Sequence, residues 1–251
     1  MREIDMDDPQ LKKDWMVVEL VEANMLSHDT RELIFKMPEQ FDLIPGQYVD
    51  IRLTAPDGHQ AVRSYSVMSS PSILPLLELG VQIVPDGEVS PFLGSMPVGT
   101  MLEMRGPIGK HFIWDASADR DVVLLAGGVG LVPLLSMLRS AVEEKHSGQI
   151  MLLYAAKTMN DLICSEQLFE FNKLSNVQVL IYLSREEGNS QDPNISHKRL
   201  DSSLIKERME ITALRSPLIY ICGSTRFVGG IGKMMREIQY PEAEVRIEGF
   251  G

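Results

Sequence analysis

The chain is poor in the residues that build metal and disulfide chemistry. Its 251 residues include only two cysteines, Cys164 and Cys222, too far apart to form a CxxC pair. Two thiols cannot supply the four ligands that a cysteine-held iron–sulfur cluster takes. The five histidines are scattered, without HxxxH or HExxH spacing, so no metal site is expected. No stretch reaches the roughly 18 apolar residues of a membrane-spanning helix. The amino-terminal MREIDMDDPQLKKDW is polar and acidic and has no apolar signal-peptide core; export is not expected, and a cytoplasmic location is. Positive charge is also scarce. The 24 Lys and Arg stand against 35 Asp and Glu, a net charge of −11, which argues against non-specific nucleic-acid binding. A macromolecular partner would meet this surface most readily with a basic or locally basic face.

What is present is ordinary for a globular protein: 44% hydrophobic and 24% charged residues, enough to bury a substantial core without staples. The first 115 or so residues read as short strands: Trp15–Asn24, Arg31–Met37, Gln47–Leu53, Val62–Met68, Leu76–Val84 and Thr100–Arg105. Pro45-Gly46, Pro56-Asp57-Gly58 and Pro85-Asp86-Gly87 punctuate them, and one short helix is expected at Ser90–Ser95. Such spacing suggests an antiparallel barrel or sandwich. Beyond Asp115 the pattern changes to alternating strands and helices. The expected strands are Asp121–Ala126, Gln149–Ala155, Val177–Leu183, Leu218–Cys222 and Glu244–Ile247. Between them come helices at Leu131–Glu144, Ser165–Leu174, Asp201–Glu210 and Arg226–Ile238. Continuous apolar strands alternating with helices imply a parallel sheet covered on both faces. The polar stretch Asp115–Arg120 reads as the linker, giving domains 1–117 and 118–251, and Glu186–His197 reads as a long polar loop.

Two clusters carry chemistry. Gly127-Gly128-Val129-Gly130-Leu131-Val132-Pro133 follows an apolar strand and opens a helix. Glycines let a backbone approach a phosphate, and the helix start offers unpaired N–H groups to it. Pro133 stands where the dinucleotide fingerprint GxGxxG has its third glycine, and a ligand-free strand-to-helix turn stays open as the alternative. The second cluster is Arg63-Ser64-Tyr65-Ser66 with Gly87-Glu88-Val89-Ser90. Arginine suits phosphate, tyrosine offers a flat face and serine adds hydroxyls. Taken alone, RSYS reads as an exposed strand of alternating polar residues; its meaning comes from its company.

Read in order, RSYS, GEVS, RGPIGKHF, LLAGGVGLVPLLSMLR, YICGSTRF and the terminal RIEGFG resemble the ferredoxin–NADP reductase superfamily, and most of all its compact members without a fused iron–sulfur domain. The resemblance spans residues 63–251 and implies a six-stranded flavin-binding β-barrel followed by a nucleotide-binding α/β domain. It implies that Arg63 binds the pyrophosphate of FAD, with Ser64 in the same cluster, that Tyr65 packs on the isoalloxazine–ribityl region, and that Ser66 hydrogen-bonds near flavin N5. Gly87, Val89 and Ser90 would cradle the pyrophosphate. Gly127, Gly128, Gly130 and Pro133 would hold the nicotinamide dinucleotide, with Cys222 and Gly223 beside its nicotinamide. Glu248 and Phe250 match an acidic–aromatic tail that reaches the flavin, and Ser66, Cys222 and Glu248 are the expected catalytic residues. The usual Cys-Gly-Pro is here Cys222-Gly223-Ser224, Arg226 stands where a small residue is common, and Gly251 follows the aromatic. Without the resemblance, Cys222 is equally a small buried hydrophobe and Phe250 equally an ordinary carboxyl terminus.

The activity implied is passage of hydride from NAD(P)H to bound FAD, and of electrons on to an acceptor. With no cluster of its own, the chain would serve a separate redox protein or a small acceptor. Ser184 and Arg185, with Lys157 nearby, lean toward the 2′-phosphate of NADPH, while Glu186 and Glu187 argue for NADH. Two other readings compete. One is a non-catalytic or partner-dependent electron-relay subunit of the same fold. The other, a plain dehydrogenase, leaves the barrel half without a purpose.

Overall fold

Alternating burial along the first strands builds a barrel, and two-sided burial along the later ones builds a sheet between helices. The computed structural model describes residues 14–114, 120–188 and 190–251. The barrel comprises β1 (Met16–Met25), β2 (Thr30–Lys36), β3 (Tyr48–Thr54), β4 (Gln60–Ser66), β5 (Leu76–Gln82) and β6 (Met101–Ile108). They form one six-stranded antiparallel sheet in the order β4-β3-β6-β1-β2-β5. A bridge between Val67 and Leu79, with Met68 N–H donating to the Glu78 carbonyl at 2.8 Å, brings its two edges together. Val18, Leu20, Leu33, Phe35, Val49 and Ile51 fill the interior, while Val17 and Glu19 point out, as the two-residue period of a strand requires. The short helix α1 (Ser90–Ser95) falls where the sequence puts it.

The second unit has β7 (Val122–Gly127), α2 (Leu131–Glu143), β8 (Ile150–Ala156), α3 (Ser165–Phe171), β9 (Val177–Leu183), β10 (Ile195–Ser196), α4 (Ser202–Ile211), β11 (Leu218–Ser224), α5 (Thr225–Glu237) and β12 (Val245–Phe250). Its strands are all parallel, in the order β10-β9-β8-β7-β11-β12. Val122, Leu124 and Ala126 face one hydrophobic core and Val123 and Leu125 another, so both faces of β7 are covered. The order reverses between β7 and β11. In an open sheet of this kind, the crevice beyond the carboxyl ends of such a pair is where ligands bind.

Several bounds depart from the sequence reading, β6 for one running on to Ile108 and β4 spanning Gln60–Ser66. The 186–197 segment holds a two-residue strand, β10, paired with Ile181 and Tyr182 of β9, too short for any periodicity to reveal. β12 runs three residues past Ile247 because β11 offers partners as far as Ser224. Helix α3 stops at Phe171 rather than Leu174. The expected boundary at 117/118 lies outside the described residues; on its amino-terminal side, Phe112 and Trp114 already pack into the core of the second unit, edge-on to Tyr220 and His146 respectively.

Candidate functional site

On the barrel side the site is built on β4. Strand alternation sends Arg63 and Tyr65 one way and Ser64 and Ser66 the other. Tyr65 packs against the barrel core, and burial pushes its hydroxyl up to about 12 against the opposing pull of Arg63. Arg63 is exposed and ion-paired with Glu88, which lies in the loop before α1. The Ser64 hydroxyl donates to the buried Asp50 carboxylate at 2.6 Å, so its side chain also serves the barrel wall. Asp50 also accepts from Arg105 at 2.8 and 2.9 Å, which ties β4, β3 and β6 together beneath the RSYS strand. Neither Asp50 nor Arg105 was singled out from sequence, although an acid inside the apolar run Val49-Asp50-Ile51 was the available signal.

The GEVS segment is a closed loop. Ser90 is buried, and its Oγ accepts from the Val84 N–H at 3.0 Å, while the Gly87 N–H donates to the Val84 carbonyl at 2.9 Å. Val89 is also buried. The side chains of Val89 and Ser90 therefore shape the loop from within.

On the α/β side the glycine turn sits at the end of β7. Gly128 has φ +55°, with open space where a side chain would stand. Gly130 has none: a Cβ there would lie 2.3 Å from the carbonyl oxygen of Cys222. Gly127 and Gly223, at the ends of the two strands flanking the switch point, instead make room for the ring of Phe227. Pro133 is buried in the first turn of α2. Cys222 has no exposed surface; burial, reinforced by the nearby Glu248 carboxylate, holds its thiol well above the usual thiol range. Its side chain is a core hydrophobe, and thiolate chemistry is closed to it at neutral pH.

The two halves meet at Ser66 and Glu248. The Ser66 hydroxyl donates to Glu248 Oε1 at 3.4 Å across the domain boundary. Burial pushes the Glu248 carboxyl up to about 7, with the Ser66 hydrogen bond opposing it. Glu248 stands beside Cys222 in the sheet register, and Phe250, two residues on, leaves the strand on the same face. Phe250 remains 38% exposed, and Thr225 of α5 donates to the Gly251 carbonyl at 2.8 Å, fastening the chain end to the first turn of that helix.

Helix α2 holds this geometry. Val132, Ser136, Arg139 and Glu143 recur at helical spacing along one face. Val132 lies against Gly80 of β5, and Ser136 donates to the Ser69 carbonyl at 2.6 Å. Arg139 pairs with Glu78 and donates to the Met68 carbonyl at 3.1 Å, and Glu143 accepts from Ser70 at 2.8 Å. The helix that begins at the glycine turn is thus docked along its length on the barrel.

At the far end of the crevice, Ser184, Arg185 and Lys157 are exposed at the carboxyl ends of β9 and β8, with Arg185 N–H donating to the Lys157 carbonyl at 2.9 Å. The Ser184 hydroxyl donates to the Ala156 carbonyl at 3.2 Å. Glu186 is turned back, its carboxylate accepting from Met159 N–H at 2.7 Å. Among the described residues, no grouping of His, Cys, Asp and Glu could hold a metal ion.

Comparison with known proteins agrees with this architecture. Residues 17–113 match the oxidoreductase FAD-binding domain and residues 124–233 the oxidoreductase NAD-binding domain. The chain is 29% identical over 227 residues to the glycine betaine monooxygenase reductase subunit of Chromohalobacter salexigens, covering 89% of this chain and 61% of that one. It is 26% identical to NADH-cytochrome b5 reductase 2-B of Vanderwaltozyma polyspora, covering 92% of this chain and 81% of the relative. It thus spans about three fifths of the length of the first relative. Its fold matches a ferredoxin NADP+ reductase from Neisseria gonorrhoeae with bound FAD and NADP at a TM-score of 0.81 and 19% identity, over 94% of this chain and 98% of the other.

Proposed function

This chain belongs to the ferredoxin–NADP reductase superfamily, and we propose that it is an FAD-dependent NAD(P)H oxidoreductase that delivers electrons to a separate acceptor. The observation that carries the reading is the Ser66–Glu248 contact. It brings the RSYS strand of the barrel against the edge strand β12 of the nucleotide sheet, next to β11, which flanks the point where the strand order reverses.

The donor set fits the cofactors. Arg63 offers a forked cation for a diphosphate, Tyr65 a flat wall and Ser66 a hydroxyl at the domain junction. Gly128, open on its side-chain side, lets a dinucleotide backbone approach the start of α2. Bound FAD would supply two-electron chemistry toward the nicotinamide and one- or two-electron chemistry toward the acceptor. Ser66 would orient the reacting edge by hydrogen bonding. Glu248, able to exchange a proton near neutral pH, would hold or release one beside it. Phe250 would cover the open side of the crevice and limit access of water.

NADPH is the preferred donor in this reading. Arg185 and Lys157 are exposed residues joined through their backbones, and neither side chain is paired with a carboxylate among the described residues. Of the two acids that would favour a free ribose hydroxyl, Glu186 is engaged by the Met159 N–H, while Glu187 is exposed. The acceptor is a separate redox protein in preference to a small molecule, as the name of the monooxygenase reductase relative suggests. No helix among the described residues is long and apolar enough to cross a membrane, and a cytoplasmic location is part of the proposal.

The test is anaerobic titration of FAD-reconstituted protein with NADPH and, separately, NADH, followed by flavin absorbance. Bleaching by either nucleotide supports the reductase reading, and the faster one identifies the donor. Flavin that neither nucleotide reduces overturns it in favour of a relay subunit.

A further inference from the structure

Helix α1 has only six residues, too short to be stable by its own hydrogen bonds. Tertiary contacts must hold it. At its start, Ser90 clasps Val84 from inside the loop. Along its body, a Cβ on Gly94 would stand 2.9 Å from the Ile83 side chain, so the absence of that carbon lets the helix lie flat against the chain entering the loop. At its end, Arg31 reaches across from β2, and its Nη1 donates to the carbonyls of Leu93 and Met96, each at 3.0 Å. Those carbonyls belong to the last turn, where no further helical N–H groups follow to satisfy them, and a cation there is favourable.

We propose that Arg31 is a positioning residue for the cofactor diphosphate, fixing α1 and through it the 84–90 loop that faces Arg63. The inference rests on the flavin reading above. β2 is anchored on both sides, by β1 and by β5, so Arg31 ties the marginal helix to a well-fixed strand of the barrel. The contact itself makes no demand on flavin and lies at the end of α1 away from the loop. Its effect on binding is therefore transmitted through the helix.

The experiment compares wild type, Arg31→Met and Arg31→Lys by equilibrium binding of FAD and of riboflavin, which shares the ring system but lacks the diphosphate. Amide hydrogen exchange of residues 90–96 is measured in the FAD-free proteins. The expected result for Arg31→Met is faster exchange at 90–96, about tenfold weaker FAD binding and riboflavin binding unchanged, with Arg31→Lys intermediate. Equal FAD affinity in wild type and Arg31→Met overturns the inference and leaves the flavin reading intact. Parallel weakening of FAD and riboflavin also overturns it, because general damage to the barrel would do that. Wild-type protein that takes up no FAD overturns the flavin reading and this inference with it.

Discussion

Ser66 and Glu248 lie 182 residues apart in the chain, in different domains, yet their side-chain oxygens are 3.4 Å apart. The carboxyl is held up to about 7 chiefly by burial. In the unfolded chain the same group titrates near the ordinary 4.5. The folded state therefore favours the protonated acid. The resulting stabilisation is full below about pH 4.5 and is lost as pH rises through about 7. Replacement by glutamine removes that dependence. Denaturation of FAD-free wild type and Glu248→Gln at pH 5 and pH 8 should show wild type losing stability relative to the variant by at most roughly 3 kcal/mol. Parallel pH profiles would mean that the carboxyl is solvated as an ordinary surface acid.

Glu88 is paired with the arginine expected to meet the flavin diphosphate. The pair is exposed and worth at most about 1 kcal/mol. Glu88→Gln frees the guanidinium and removes a negative charge from the neighbourhood of a dianion. FAD binding should tighten by up to about fivefold. The effect should fade as ionic strength rises. Weaker binding would show that Glu88 orients Arg63 productively.

Arg185→Ala should raise KM for NADPH by about tenfold or more and leave KM for NADH within about twofold, because only the former carries a 2′-phosphate for the guanidinium to grip. Steady-state kinetics with an artificial electron acceptor measures both. An equal rise for the two nucleotides would assign Arg185 to a part they share.

Gly130→Ala puts a methyl group 2.3 Å from a backbone oxygen of the interior strand β11, where no side-chain rotation relieves it. Separation of α2 from β11 is the only remedy. A cost of about 1–3 kcal/mol and loss of nucleotide binding are expected, read from urea midpoints and from nucleotide protection against unfolding. An unperturbed midpoint would mean that the turn is more accommodating than its packing indicates.

Much of the fold was legible because both periods are clean. Val177–Leu183 and Ser90–Ser95 have the bounds expected of them, and the apolar strands alternate between two cores. The site was legible in its order along the chain but less so in the direction of its side chains. Ser64 shares a strand face with Ser66, and only the structure shows that its hydroxyl is taken by the Asp50 carboxylate while that of Ser66 reaches Glu248. The order of motifs says nothing of how deeply Cys222 and Pro133 are buried. Arg31 could not be recognised at all, because its partners are two carbonyls more than 60 residues away. Backbone acceptors carry no residue-type signature.

The seam along α2 has a mechanical consequence. Val132, Ser136, Arg139 and Glu143 engage the barrel at four successive levels, among them a part-buried ion pair and a fully buried hydroxyl. A joint made along a line resists bending as a glued edge does, and a jaw-like swing of the two domains would have to break every level at once. Traffic into the crevice is thereby left to its open side, where Phe250 stands 38% exposed. Changes of rate between nucleotides or acceptors should trace to that threshold and not to a hinge.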